Sequence, residues 1–262
     1  MKYIDCKKYA QDILDAVKAL PNKKMLVILT AGDNPTSASY VKGKIKDCQY
    51  CGIPYEHIKV TTKDDLRWQI AQKKVDPAVG GIIIQLPLPK GWDEEFFTNL
   101  VPPHLDVDGF VAGSHFKPCT PEGIMYLLRK EVGELEGMNA LVIGRGKLVG
   151  KPLSKMLLDA NCTVTVAHSK TKNIWGHCSG ADIIVTAAGV PSTINLGSCY
   201  FADIVIDAGV NTGPDGKLCG DCWGFEDDEV IYPKVTPVPG GVGLMTRAML
   251  MAHVAGLEVD KL

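Results

Sequence analysis

The chain has 262 residues, 46% of them hydrophobic, with 28 basic and 30 acidic side chains for a formal net charge of −2. That length suits one large domain or two smaller ones with ample core, and the near balance of charge offers nothing to attract nucleic acid or a membrane surface. Asp5, Lys7, Lys8, Asp12 and Asp15 interrupt the N-terminal region, so neither a signal peptide nor a membrane span is expected, and the cytosol is the default compartment.

Helix-like and strand-like segments alternate throughout. Residues 9–20 put Tyr9, Ile13, Leu14 and Val17 at helical spacing on one apolar face. Residues 25–30 read as a buried strand. Residues 36–50 read as a helix with Thr36 or Ser37 as its N-cap, stopped by Gly52 and Pro54. A short strand around Ile58, a helix over 64–75 and an apolar strand over 80–85 follow, the last broken by Pro87 and Pro89. This first half predicts an α/β domain with a mostly parallel sheet. Pro118-Cys119-Thr120-Pro121 marks a boundary before a helix over 122–130.

Beyond it, the apolar run Leu141-Val142-Ile143 ends in Gly144, and Gly146 and Gly150 lead into a helical segment at 151–160. A strand that turns on glycines into a helix presents free N–H groups and a dipole to a pyrophosphate. The spacing is one residue longer than the usual G-x-G-x-x-G, and alone it fits a tight turn with no ligand. A second strand over 163–167 completes a βαβ unit and favours the dinucleotide. After that strand, where NAD-binding folds carry an acidic residue about 20 positions past the glycines, the chain has Ala167-His168-Ser169-Lys170. With Arg145 in the turn, this set suits a 2′-phosphate, so NADP is expected over NAD. A solvated loop is the alternative. Strands over 183–187 and 204–208 extend this sheet, residues 236–243 are too rich in Pro and Gly for regular structure, and an apolar helix over 245–257 closes the chain.

The nine cysteines include Cys48-x-x-Cys51 and Cys219-x-x-Cys222, a possible four-thiolate zinc set. The pairs are far apart, one falls on a helix, and an odd count argues against a disulfide framework. Buried apolar packing is the expected role, with no metal. Tyr40 and Lys44 share a helix face, Gln85 closes its strand at the carboxyl end where open α/β sheets bind ligands, and Asp106-Val107-Asp108-Gly109 reads as a turn. Each pattern alone also fits ordinary structure.

Together they resemble a family: the bifunctional methylenetetrahydrofolate dehydrogenase/methenyltetrahydrofolate cyclohydrolases. The matching segments are Tyr40-Val41-x-x-Lys44-x-Lys46, Gly81-Ile-Ile-Ile-Gln85-Leu-Pro-Leu-Pro89, Asp106-Val-Asp-Gly-Phe110, Pro118-Cys-Thr-Pro121, Gly144-Arg145, Val149-Gly-Lys-Pro152, His168-Ser-Lys-Thr171 and Thr236-Pro-Val-Pro-Gly-Gly-Val-Gly243. They run in order from about residue 25 to the C-terminus.

The resemblance implies a folate-binding α/β catalytic domain (1–118 plus 245–262), a Rossmann-like NADP-binding domain (119–244) and a cleft between them. It implies hydride transfer from methylenetetrahydrofolate to NADP, then hydrolysis of the methenyl cation to the formyl product. Lys44 matches the catalytic lysine, and a buried lysine beside a cationic substrate holds its proton less tightly, which suits a general base. Gln85 would position the amine, Tyr40 would pack over the folate, and Asp108 would accept from the pterin's ring N–H and amino group. Leu86, Pro87, Pro239, Gly240 and Gly241 would border the substrate. Gly144, Arg145 and Gly146 would lie near the phosphates, Ser169 at the 2′-phosphate, Val210 near the nicotinamide, and Thr120 is a further cofactor contact. A homodimer is implied as well. Gly146 stands where the family usually has Ser, Leu105 replaces a lysine, Val111-Ala-Gly-Ser114 replaces a His-Pro-led segment, and Leu244 replaces a proline. A dehydrogenase without useful hydrolase activity, or a non-catalytic nucleotide-binding protein, are the alternatives, and the presence of Lys44, Gln85 and Asp108 argues against both.

Overall fold

The structure is a computed structural model, and it describes residues 2–224 and 233–262. In chain order, the elements are β1 (Lys2–Tyr3), α1 (Cys6–Ala19), β2 (Met25–Ala31), α2 (Pro35–Cys51), β3 (Tyr55–Val60), α3 (Lys63–Lys73), β4 (Val79–Ile84), α4 (Glu94–Thr98) and α5 (Cys119–Glu131). They continue with β5 (Asn139–Ile143), α6 (Gly150–Asp159), β6 (Thr163–Ala167), α7 (Ile174–Cys178), β7 (Ile183–Thr186), β8 (Ile194–Asn195), β9 (Ile204–Asp207), β10 (Asn211–Thr212), β11 (Leu218–Cys219), β12 (Cys222–Trp223), β13 (Lys234–Val235) and α8 (Val242–Ala255). Two compact units result: Met1–Tyr9 with Thr120–Thr246, and Ala10–Cys119 with Arg247–Leu262.

The unit of Ala10–Cys119 and Arg247–Leu262 holds a parallel three-stranded sheet in the order β3-β2-β4. Leu26, Val27, Ile28 and Leu29 are all fully buried, the unbroken apolar run of a central strand covered on both faces. One side of the sheet packs Val27, Leu29, Ile82 and Ile84 against Leu66 and Ile70 of α3 and Phe97 of α4. Helix α3 starts where the Thr62 hydroxyl accepts from the Asp65 N–H at 3.1 Å. Asp64 and Asp65 then sit in the first turn and Lys73 in the last, matching the helix dipole at both ends. Helix α2 corrects the expected cap. Its start is held by Asn34, whose Oδ1 accepts from the Ser37 N–H at 3.2 Å while its carbonyl accepts from the Ala38 N–H, so Thr36 and Ser37 are already helical.

The other unit carries a six-stranded sheet in the order β1-β13-β9-β7-β5-β6, with every neighbouring pair parallel. The N-terminal residues join this sheet at its edge. Lys2 and Tyr3 pair with Lys234 and Val235, the Ile4 N–H donates to the Val235 carbonyl at 2.9 Å, and Ile4 and Cys6 are buried. A two-residue edge strand has no period to read, so the sequence pattern could not reveal it. Helix α8 starts at Val242 rather than 245. The Gly-Gly-Val-Gly run suggested a breaker, but first-turn N–H groups lack intrahelical partners in any helix, so glycine there removes little.

Candidate active site

The four expected catalytic residues, with Leu86 and Pro87, fall in the unit of Ala10–Cys119. Lys44 is buried, with 7% exposure, and Tyr40 is half-buried. Both lie on α2, on the same face as Ser37. The Ser37 hydroxyl donates to the Leu86 carbonyl at 3.4 Å, so this helix face turns toward the segment that follows β4. Gln85 opens that segment: its N–H continues the ladder to the Leu29 carbonyl at 2.8 Å, and its side-chain amide donates to the Leu86 carbonyl at 2.9 Å. The Leu86–Pro87 bond is cis. The Gln85 Oε1 is buried without a hydrogen-bond partner, and among the described residues nothing hydrogen-bonds or ion-pairs with the Lys44 amine. A buried polar atom is normally satisfied, so the Gln85 Oε1 marks a place suited to a polar ligand. Burial raises the Tyr40 phenol above its ordinary range, with the Arg247 guanidinium opposing.

Asp108 is 8% exposed in a loop that runs along the edge of β4. A Cβ on Gly81 would lie 2.6 Å from both Val107 methyls, so a residue with a side chain at 81 would push the loop away. The Ile82 N–H donates to the Leu105 carbonyl at 2.8 Å, and the Val107 carbonyl accepts from His253 Nδ1 at 2.7 Å and the Cys119 thiol at 3.2 Å. His253, on α8, stacks on Phe116 with centroids 4.8 Å apart. Asp106 does something different, because its Oδ2 accepts from the Val111 N–H at 2.7 Å and closes the loop on itself. Burial pushes the Asp106 carboxyl above the usual carboxylate range, partly offset by that N–H. Arg247 lies over Gly43, where a Cβ would meet its guanidinium at 1.9 Å, and its Nε is 3.0 Å from Asp47 Oδ2. That approach is too far off axis to be a hydrogen bond, so both atoms remain without one, and the contact is an ion pair only. Sequence reasoning singled out neither Arg247 nor His253; nothing in the spacing of α8 marks them.

The cofactor candidates fall in the other unit. Gly144 follows β5 with φ +116°, and a Cβ there would meet the Ala187 carbonyl oxygen at 2.2 Å. A Cβ on Gly150 would meet the Gly144 carbonyl oxygen at 2.1 Å. Around Gly146 the space is open. Helix α6 therefore starts tight against the strand end; its N-cap residue, Val149, gives no side-chain hydrogen bond, the Lys151 N–H donates to the Gly146 carbonyl at 3.0 Å, and Pro152 has no N–H to offer. Ile143 pairs with Ala167, and the Gly144 N–H donates to the Ala167 carbonyl at 2.8 Å. The turn holding Arg145 and the turn of His168–Thr171 thus emerge side by side at the carboxyl ends of adjacent strands. Thr171 N–H to His168 carbonyl, at 2.8 Å, closes the second turn and leaves Ser169 exposed. Val210, after β9, is also exposed. Thr120 shares a 2.9 Å hydroxyl–hydroxyl hydrogen bond with Thr246. Pro239 and Gly240 are exposed, with φ +97° at Gly240, while a Cβ on Gly241 would meet the Pro237 carbonyl oxygen at 2.2 Å. The turn of Gly144 to Gly150, open around Gly146, fits a pyrophosphate, which needs close backbone approach.

All nine cysteines are free, and only Cys219 is not buried. Among the described residues no group of three or more His, Cys, Asp or Glu side chains could hold a metal ion, and none of the helices is long and apolar enough to cross a membrane.

A parallel dinucleotide-type sheet with a glycine turn, in a chain whose other unit buries a lysine and an unsatisfied glutamine oxygen, defines a two-domain nucleotide-dependent enzyme. Residues 4–108 match the family described as tetrahydrofolate dehydrogenase/cyclohydrolase, catalytic domain, and residues 118–260 match its NAD(P)-binding domain. The chain is 40% identical to the bifunctional protein FolD of Anaeromyxobacter dehalogenans, covering 98% of both chains. It is also 40% identical to that of Agathobacter rectalis, covering 87% of this chain and 86% of the relative. Among solved structures, the bifunctional FolD dehydrogenase/cyclohydrolase of Campylobacter jejuni is similar with TM-score 0.88 and 34% identity, covering 98% of both chains. The Trypanosoma brucei enzyme, complexed with NADP cofactor and inhibitor, has TM-score 0.87 and 27% identity, covering 96% of this chain and 95% of that one. The chain belongs to the tetrahydrofolate dehydrogenase/cyclohydrolase family. It is a bifunctional enzyme that oxidises 5,10-methylenetetrahydrofolate with NADP and hydrolyses the methenyl product to 10-formyltetrahydrofolate.

Proposed function

We propose that both reactions rest on the side chains of α2 and of the loops after β4, with the cofactor held by main chain at the end of β5. The observation that carries this reading is Lys44: a buried residue whose amine has no partner among the described residues, on the face of α2 that Ser37 ties to Leu86. When bound, NADP supplies the acceptor for the hydride leaving the methylene bridge. The folate's nitrogen lone pairs stabilise the cation that results, so in this step the protein contributes orientation rather than a proton donor. Asp108 grips the pterin through two parallel hydrogen bonds, and Tyr40, Leu86 and Pro87, with Pro239, Gly240 and Gly241, border the ring.

Hydrolysis needs a proton to leave the attacking water. Lys44 takes that proton as oxygen bonds to the methenyl carbon, and it returns a proton to the ring nitrogen as the carbon–nitrogen bond breaks. The free Gln85 Oε1 accepts from the amine and holds its lone pair toward the water. On the cofactor, Gly144 and Gly146 admit the pyrophosphate, Arg145 and Ser169 take the 2′-phosphate, Val210 lies against the nicotinamide, and Thr120 adds a weaker contact. We take the enzyme to act in the cytosol as a homodimer, on the strength of the family resemblance.

The test is spectroscopic. Methylenetetrahydrofolate with NADP is expected to give a methenyl absorbance that rises and then decays faster than in buffer. A rise with only the buffer rate of decay would leave a dehydrogenase alone, and no rise with NADP but one with NAD would overturn the choice of cofactor.

A further inference from the structure

Asp221 is a charged side chain with no exposure at all, and the proposed chemistry does not use it. Its Oδ2 accepts from the N–H groups of Ala188 at 2.8 Å and Gly189 at 3.1 Å. Its Oδ1 accepts from the Val190 N–H at 3.0 Å and from the Asn211 side-chain amide at 2.8 Å. The Asp221 carbonyl then accepts from the Thr193 and Ile194 N–H groups at 2.8 and 3.3 Å. One residue therefore holds both ends of the loop that follows β7. It also sets the loop after β9, since a Cβ on Gly209 would meet the Asp221 carboxylate at 2.2 Å.

The base of this arrangement is a second buried carboxylate. Asp207 accepts from the N–H groups of Gly209, Asp221 and Cys222 at 2.9, 3.0 and 2.9 Å, and from the Thr186 hydroxyl at 3.1 Å. The two loops belong to adjacent parallel strands, Thr186 pairing with Asp207. Ala187, which opens the first loop, is the residue whose carbonyl a Cβ on Gly144 would strike. With their N–H groups turned inward onto a carboxylate, the loops turn apolar side chains out: Val190 is 55% exposed and Val210 45%. Both valines stand exposed on loops that leave the carboxyl ends of adjacent strands.

We infer that Asp221 is a positioning residue for the dinucleotide: its carboxylate locks the loops of Val190 and Val210 into one apolar surface for the nicotinamide end. The inference rests on the reading that Val210 faces that ring. Only a carboxylate fits this place, because an ionised Asp is acceptor-only and all its partners are donors. An Asn would set an N–H₂ against backbone N–H groups.

Asp221→Asn is expected to raise the NADP dissociation constant at least tenfold, measured by fluorescence titration. Hydrolysis of methenyltetrahydrofolate supplied directly should stay within about twofold, because that step uses no hydride acceptor. Asn211→Ala, which removes one of the carboxylate's donors, serves where Asp221→Asn does not fold, and it should raise the NADP constant about threefold. Unchanged NADP affinity in the folded variant would overturn the inference, as would parallel loss of binding and hydrolysis. Arg145→Ala separates the failures. Weakened NADP there with normal binding in Asp221→Asn ends this inference alone, whereas normal NADP binding in both ends the reading of the cofactor site itself.

Discussion

On the proposed roles, the unit of Ala10–Cys119 meets its ligand with polar side chains, and the unit of Thr120–Thr246 relies more on the course of its main chain. In the first, Lys44, Tyr40, Gln85 and Asp108 project from a helix, a strand end and a loop, and two of their polar groups lack partners among the described residues. In the second, the proposed ligand-facing parts are the glycine turn at Gly144–Gly146 and loops whose inward amides are fixed by buried carboxylates while Val190 and Val210 stay exposed. Each function is therefore vulnerable in its own way. A side-chain site fails when one atom is removed, while a main-chain site fails when the support beneath it is removed.

Lys44→Met sets the two units apart most clearly. It should lower methenyl hydrolysis by about a thousandfold, near 4 kcal/mol of transition-state stabilisation, while NADP titration stays within error because the cofactor's backbone cradle is untouched. Stopped-flow decay of the methenyl absorbance measures the first and fluorescence the second. Hydrolysis that survives in a folded Lys44→Met protein would remove this lysine as the base.

Arg247 tests whether the side-chain site also depends on support. Breaking a buried ion pair by removing one partner costs about 3 kcal/mol, and Arg247→Met would leave the Asp47 carboxylate buried alone. Burial already holds the Asp47 carboxyl above its usual range against the pull of Arg247. A raised folded-state value means that the cost is absent below the unfolded value of about 3.9 and is complete once pH has risen through the folded one. The deficit of Arg247→Met, from urea melts, should therefore be larger at pH 8 than at pH 4.5, and Asp47→Asn in the same chain should recover much of it. A deficit that does not change with pH would mean that Asp47 is not the group left stranded.

The two sites were unequally legible in the sequence. Tyr40 and Lys44 share a helix face by spacing alone, and the glycine turn between strand and helix declares itself because glycine is the one residue that the surroundings of positions 144 and 150 admit. Asp221, His253 and Arg247 carried no such mark. Their significance comes from long-range packing: Asp221 meets Ala188–Val190 across roughly thirty residues, and His253 meets Val107 across 146. No local period encodes partners at that separation. The same reason hides β1, whose two residues gain their pairing only from β13. Buried strands such as β2, by contrast, read directly from an unbroken apolar run.

The smallest expected effect concerns the choice between cofactors. Arg145 is exposed at the turn after β5, beside the turn that carries Ser169 after β6. A guanidinium pairs with a phosphate through two hydrogen bonds but gains little from a ribose hydroxyl. Arg145→Ala should therefore weaken NADP about tenfold, near 1.4 kcal/mol, and leave NAD within about twofold. Exposure limits the magnitude, and added salt should shrink the difference by screening what the side chain contributes. Adding Ser169→Ala should raise the loss for NADP by less than its separate effect if both residues grip one phosphate, because the two contacts share a partner. Equal weakening of NADP and NAD by Arg145→Ala would place this side chain on the pyrophosphate, and the side-chain contribution would then belong to anchoring rather than to selection.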